Sequence, residues 1–199
     1  MNKISEQQIH TDDTIAFAEL EKTDRKAYLQ AKLLCKLSYS HIYRNTMVKY
    51  FPMGEDLNKA MLEDLVKAEK YIFLEYFIIE EGIFWNGILD ILKEKAKHGV
   101  EIRVVYDDVG CMLTLPGDYY KTLQNHGIKA VRFSPLKGQA DNEFNNRSHR
   151  KIMVIDGKIG YTGGINIADE YIGEKIRFGE WKDTAIRLEG NAVWELTKL

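Results

Sequence analysis

The sequence predicts an α/β fold, with a mixed, largely parallel sheet flanked by helices. Two observations carry that reading. Between residues 71 and 133, short runs rich in β-branched and aromatic residues alternate with helical patterns, and strand–helix–strand order implies right-handed parallel crossovers. After residue 148 the texture changes to two short strands joined by Asp156-Gly157, the strongest local signal for a hairpin. At 199 residues, with 45% hydrophobic and 29% charged side chains, the chain suits one globular domain of ordinary size, alone or with a docking segment.

Each element has its own signal. "DRKAYLQAKLLCKL" (24–37) reads as a helix with Leu29, Leu33 and Leu37 on one stripe and Arg25, Lys26, Lys32 and Lys36 elsewhere. A basic amphipathic helix can lie on an anionic membrane. The reading adopted is the plainer one, a helix docked on the core with its basic face in water. "EDLNKAMLEDLVKAEK" is helical, with Leu57, Met61, Leu65 and Ala68 on one face. "YIFLEYFII" (71–79) reads as a strand buried on both sides. "FWNGILDILKEKAKHG" is a helix stopped by Gly99. "VEIRVVYDD" is a strand, "DYYKTLQNHG" a short helix, and "IKAVRF" a further strand.

A polar loop (134–148) leads into the strands Lys151–Ile155 and Lys158–Thr162. "NIADEYIGE" suggests a short helix capped by Asn166, "DTAIRLEG" a last strand, and "NAVWELTKL" the start of an amphipathic helix. An apolar pattern that stops in mid-helix predicts a longer protein.

Composition removes several function classes. A net charge of -2 and a pI near 6.2 argue against general nucleic-acid binding. Cys35 and Cys111 lack the spacing of a metal or redox pair and read as reduced thiols. The polar, acidic first residues are not the pattern of a signal peptide, and no run approaches the ~20 apolar residues of a spanning helix.

The chemistry concentrates in "SHRKIMVIDGKIGYTGGIN" (148–166). On extended backbone, His149 and Lys151 project to the same side. An imidazole beside an ammonium suits attack on an anionic centre, lysine neutralising oxygens while histidine serves as nucleophile or acid/base. Asn166 follows Gly163-Gly164, a pair that allows close backbone approach, and could donate to the same oxygens. The residues alone say that histidine and lysine handle a phosphoryl or sulfuryl group.

The full string, His149-x-Lys151-x4-Asp156-x6-Gly163-Gly164-x-Asn166, resembles the signature of the phospholipase D superfamily. "IFLEYFIIEEGIFWNGILDILKEKAKHGVEIRVVYDDVGC" and "GGINIADEYIGEKIRFGEWKDTAIRLEGNAVW" are similar to the first catalytic half of bacterial cardiolipin synthases. The resemblance spans roughly residues 12 to 199 and implies a phospholipase D-like sandwich half. It implies His149, Lys151 and Asp156 as the catalytic motif, with Asp156 in a supporting place at the hairpin tip. It also implies His149 as nucleophile, and Lys151 and Asn166 as ligands of phosphate oxygens. Gly163 and Gly164 lie around the site. Asp183 matches the carboxylate that orients the histidine, or is an ordinary strand-edge aspartate.

The implied reaction converts two phosphatidylglycerol molecules to cardiolipin and glycerol through phosphohistidine, with no metal or other cofactor. The implied partners are an anionic phospholipid, a membrane surface and a second phospholipase D-like half, in cis or in trans. No nucleic-acid partner is expected, and the expected place is the cytoplasmic face of the bacterial cell membrane.

One motif in the chain leaves room for two other readings, a phosphodiesterase or nuclease active as a homodimer, or a half-domain that only binds lipid or a partner. The expected division is residues 1–50 as a helical connecting segment and 51–199 as the first phospholipase D-like domain, truncated at its C-terminal end. Asp107 and Asp108 read as turn or capping residues. Glu75 either faces the site or is a buried structural carboxylate. His10, His41, His98 and His126 read as unpartnered surface residues.

Overall fold

The computed structural model describes residues 6–136, 146–177 and 179–199, with side chains from Asp13 onward. The side chain of His10 and most of the polar loop (137–145) therefore lie outside what is described.

Seven strands form one sheet: β1 (Thr46–Phe51), β2 (Tyr71–Tyr76), β3 (Glu101–Asp107), β4 (Lys129–Phe133), β5 (Lys151–Ile155), β6 (Ile159–Gly163) and β7 (Ala185–Gly190). Their order is β1-β7-β6-β5-β2-β3-β4. The sheet is mixed, as expected: β2–β3 and β3–β4 are parallel and the other pairings antiparallel, so all strands but β5 and β7 run the same way. The helices are α1 (Glu6–Thr23), α2 (Arg25–Ser38), α3 (Gly54–Leu65), α4 (Ile83–Lys97), α5 (Tyr119–Asn125) and α6 (Val193–Lys198).

The main core lies on one face of the sheet. Leu57, Met61 and Leu65 of α3, with Phe84, Trp85, Ile88 and Leu92 of α4, pack on Ile72, Leu74 and Tyr76 of β2 and Met153 and Ile155 of β5. The opposite face is covered more thinly, by Val193 and Leu196 of α6 over Ile152 and Val154. Tyr71, Phe73 and Glu75 point to that side and are only half-buried, so β2 is not buried on both faces as its composition suggested. It also ends at Tyr76. Beyond it, Ile79 pairs in a single bridge with Ile167, which draws the chain after the motif alongside residues 78–80.

Strand β1 carries no clear pattern because Met47, Val48 and Tyr50 are exposed, yet it pairs along its length with β7. Residues 46–50, read as connecting segment, thus belong to the sheet. The N-terminal helices depart further from expectation. No residue of α2 is buried, and Leu29, Leu33, Leu34 and Leu37 are 53–68% exposed, so the leucine stripe does not dock on the core. The half-buried side of α2 is Tyr28, Ala31 and Cys35, and Phe17 of α1 meets Tyr28 edge to face at 5.9 Å. His41 is not unpartnered either: its Nδ1 lies 2.6 Å from Asp13 Oδ2.

One buried polar cluster ties α3 to the sheet. Asp64 accepts from Tyr161 Oη (2.6 Å), Arg187 Nε (2.6 Å) and Lys67 Nζ (3.0 Å). Burial pushes its carboxyl up, but these donors outweigh that effect and hold it below the ordinary aspartate value. Removing the carboxylate leaves Tyr161 Oη without its acceptor and Arg187 with Glu189 alone, at a poorly solvated site. Asp64→Ala is therefore expected to cost about 3 kcal/mol in denaturant unfolding at neutral pH. A carboxyl with a depressed folded value stabilises above its unfolded pKa and loses that contribution as pH falls through the folded one. The gap between wild type and Asp64→Ala should accordingly shrink below about pH 4.

Candidate active site

The site is built at the end of β5 where the chain enters the sheet. That strand is inserted between β2 and β6, with Tyr76 opposite Lys151 and Glu75 opposite Ile152. Its other end is held by Asp156. There, Asp156 and Gly157 both take left-handed backbone (φ 54° and 66°), as a type I′ hairpin turn requires. The Asp156 carboxylate accepts from the backbone N–H groups of Glu69 (2.9 Å), Lys70 (2.8 Å) and Tyr71 (2.8 Å). Asp156 is thus separated from His149 and Lys151 by the whole of β5, roughly 16 Å of strand. Its side chain is fully engaged in fixing β5 against the start of β2, so the motif's aspartate does not join its histidine and lysine.

Around His149 the neighbouring residues are locked and the imidazole is left exposed. Ser148 N–H donates to Asp107 Oδ2 (3.0 Å) and Ser148 Oγ to Glu75 Oε1 (2.5 Å). Arg150 Nη1 donates to Glu75 Oε2 (3.3 Å), and Arg147 Nη1 to Ser134 O (2.9 Å). Asp107 is fully buried and also accepts from Val109 N and Gly110 N, both at 3.0 Å. It is a turn residue, as read from sequence, and an anchor for the motif as well. Glu75 resolves in favour of a hydrogen-bonded carboxylate, one that grips the residues on both sides of His149.

Phe77 brings the histidine and lysine together. The His149 ring lies 4.6 Å from the Phe77 ring, and Lys151 Nζ sits 5.2 Å from the same centroid. Lys151 is buried, and its Nζ donates to His149 O at 2.8 Å. Burial lowers its pKa, and Asp183 pulls the other way by electrostatic attraction. The ammonium is therefore partly dehydrated, stabilised by a carbonyl, a ring face and a nearby carboxylate.

The glycine pair positions Asp183. Gly164 N–H donates to Thr184 O (2.9 Å), and a Cβ on Gly163 would collide with Thr184 and Ala185. A Cβ on Gly164 would overlap the Asp183 carboxylate, whose Oδ1 accepts from Thr184 N at 2.7 Å. Asn166 is buried but caps no helix. The turn of 3₁₀ helix is Asp169–Ile172 with Ala168 as its cap, while Asn166 Oδ1 accepts from Ile78 N (3.0 Å) and its Nδ2 donates to Tyr171 Oη (2.8 Å). His98 is not unpartnered, its Nδ1 lying 2.9 Å from the backbone carbonyl and 3.4 Å from the carboxylate of Glu94, and His126 is exposed; both are remote in sequence from the motif. Among the described residues, no group of three or more His, Cys, Asp or Glu side chains could hold a metal ion.

Sequence reasoning missed Phe77, Ser148 and Tyr171. Phe77 is one apolar residue in an apolar run, with nothing to mark it; the interruption of that run by Glu75 was the available signal.

A family model described as "Cardiolipin synthase, PLD-like domain" matches residues 61–175. The chain belongs to this family. A protein of Streptococcus mutans described as uncharacterized is 48% identical over 179 residues, 90% of this chain and 39% of that protein. A cardiolipin synthase of Oceanobacillus iheyensis is 41% identical over 150 residues, 75% of this chain and 31% of that enzyme. The chain thus spans between 31% and 39% of the length of these two curated relatives. Nuc of Salmonella typhimurium, a phospholipase D family member, shares the fold: TM-score 0.56 at 16% identity, over 77% of this chain and 90% of Nuc. Within this phospholipase D-like domain of the cardiolipin synthase family, the histidine, lysine and glycine pair described above come from the matched segment.

The Asp156 clamp makes a direct prediction. Asp156→Ala removes the acceptor for three amides and places alanine in left-handed backbone, an expected loss of about 2–4 kcal/mol in denaturant unfolding. Asp156→Asn, which keeps one oxygen and tolerates that backbone, should lose clearly less. Unchanged stability in Asp156→Ala would mean that the carboxylate acts elsewhere.

Proposed function

We propose that this chain supplies one half-site of a phosphatidyltransferase that makes cardiolipin from phosphatidylglycerol. The observation that carries the reading is that an exposed imidazole and a partly dehydrated ammonium both lie against the ring of Phe77, with the ammonium bonded to the His149 carbonyl. Family membership and the cardiolipin synthases among its relatives supply the substrate class.

In this reading His149 is the nucleophile. An imidazole nitrogen attacks the phosphorus of phosphatidylglycerol, the bond from phosphorus to the headgroup glycerol oxygen breaks, and a phosphatidyl-histidine remains. The leaving glycerol takes its proton from a second histidine, borne by another phospholipase D-like half in cis or in trans. A hydroxyl of a second phosphatidylglycerol then attacks phosphorus, gives its proton back to that second histidine, and releases His149. Lys151 neutralises the non-bridging oxygens, where its partial dehydration strengthens the attraction. Asn166 contributes a donor to the same oxygens if its amide turns from Tyr171. Asp183 steadies the imidazolium that forms, in the manner of a carboxylate behind a catalytic histidine. The reaction takes place at the cytoplasmic face of the bacterial membrane.

The test is turnover of phosphatidylglycerol in mixed micelles, with the chain combined with a half carrying the second motif. The combination is expected to produce cardiolipin and glycerol. His149→Ala should lower the rate by about 10³-fold or more, because members of a catalytic unit do not act independently. The chain alone should be nearly silent. Full turnover by the chain alone as a dimer would replace the half-site reading with the homodimer, and indifference to His149→Ala would remove the catalytic reading altogether.

A further inference from the structure

Helix α2 leaves a continuous apolar stripe uncovered. Leu29, Leu33 and Leu37 recur every fourth residue and so form a stripe along its outer side, with exposures of 53%, 58% and 68%, and Leu34 beside them at 62%. Tyr39, directly after the helix, is 91% exposed. The sequence of α2, RKAYLQAKLLCKLS, contains Arg25, Lys26, Lys32 and Lys36 and no acidic residue. By helical geometry Arg25, Lys32 and Lys36 line one edge of the leucine stripe, and Lys26 stands at its N-terminal end.

The helix is held in this pose. Asp24 caps it by accepting from Lys26 N and Ala27 N, and its inner side packs on α1. Three nearby carboxylates are engaged elsewhere: Asp13 with His41 and Ile42 N, Glu19 with Arg44, and Glu195 with Tyr43 and Lys198. Among the described residues, Arg25 alone of the four cations has an acidic partner, at 3.4 Å between exposed groups, and Lys32 lies over the Tyr28 ring.

We propose that the outer side of α2 is a membrane-docking surface that lies in the interface of an anionic bilayer, leucines down and lysines at the headgroup phosphates. The charge pattern selects this occupant. A second copy laid on the stripe would bring a second set of cations against the first, whereas anionic headgroups complement them. A stripe of leucines with a basic edge and low overall hydrophobicity is the composition of a helix that lies on a membrane. The inference rests on the proposed function only in that a phosphatidylglycerol-rich surface is then also the substrate surface. It places substrate binding and membrane docking on separate parts of the chain, so the two can fail separately.

The experiment is co-sedimentation of the chain with vesicles of phosphatidylcholine, alone or mixed with phosphatidylglycerol, at low and high salt. Wild type is expected to partition onto the mixed vesicles and hardly onto phosphatidylcholine, with binding weakened by salt. Replacing Leu29, Leu33 and Leu37 together by Gln should weaken partitioning by roughly tenfold or more. Lys32→Glu with Lys36→Glu should do so by a similar factor and abolish the preference for phosphatidylglycerol. All these side chains are exposed, and circular dichroism verifies that the variants keep the fold. His149→Gln should bind vesicles as wild type does, which separates docking from catalysis. Vesicle binding unchanged by both sets of substitutions would overturn the proposal. So would absence of binding together with a dimer, seen by sedimentation, that the leucine substitutions dissociate.

Discussion

The site depends on where β5 stops sliding. A strand in mid-sheet can in principle shift against its neighbour, and a slip of one residue would turn every side chain to the other face. Here the register is pinned at one end by the Asp156 carboxylate, which gathers three successive amides at the start of β2. It is pinned at the other by Glu75 and Asp107, which hold Ser148 and Arg150. Between those anchors five residues of strand bury Lys151 within reach of the Phe77 ring and leave His149 in the open. The aspartate of the motif thus serves the site from the opposite end of the strand, by fixing the register that sets where the histidine and lysine stand.

The environment of Lys151 explains how a chain with net negative charge can present a strong local cation. Burial removes the water that would otherwise screen the ammonium, and the fold compensates with a carbonyl, an aromatic face and the field of Asp183. Such an arrangement stabilises the ammonium only partly; in the proposed function a phosphate diester would supply what is missing. The glycine pair serves the same end: without side chains at 163 and 164, β6 lets the backbone of Thr184 and the carboxylate of Asp183 come close.

Much of this was legible in the sequence because it is local. The hairpin turn at Asp156-Gly157, the alternation of strands and helices from residue 71 to 133, and the proximity of His149 to Lys151 follow from spacing alone. The remainder depends on contacts distant in sequence. Glu75 reaches Ser148 across the β2–β5 pairing, and Asn166 finds Ile78 only because residue 167 bridges to residue 79. Strand β1 was invisible since its outward residues are as apolar as inward ones. Helix α2 misled because periodicity identifies an apolar stripe without saying what covers it. His41 was read as isolated since its partner, Asp13, lies on another element.

The central claim is that the imidazole of His149 is presented for attack on a phosphodiester, and it can be tested without any second half. An aryl phosphodiester with a nitrophenolate leaving group departs without protonation, so the missing acid is not needed for the first bond-making step. The direct measurement is peptide mass spectrometry after base-stabilised quenching of such a reaction. A phosphoryl adduct on His149, formed with a stoichiometric burst of nitrophenolate and absent in His149→Ala, is the predicted result. An adduct on another residue, or a burst that survives His149→Ala, would contradict the account.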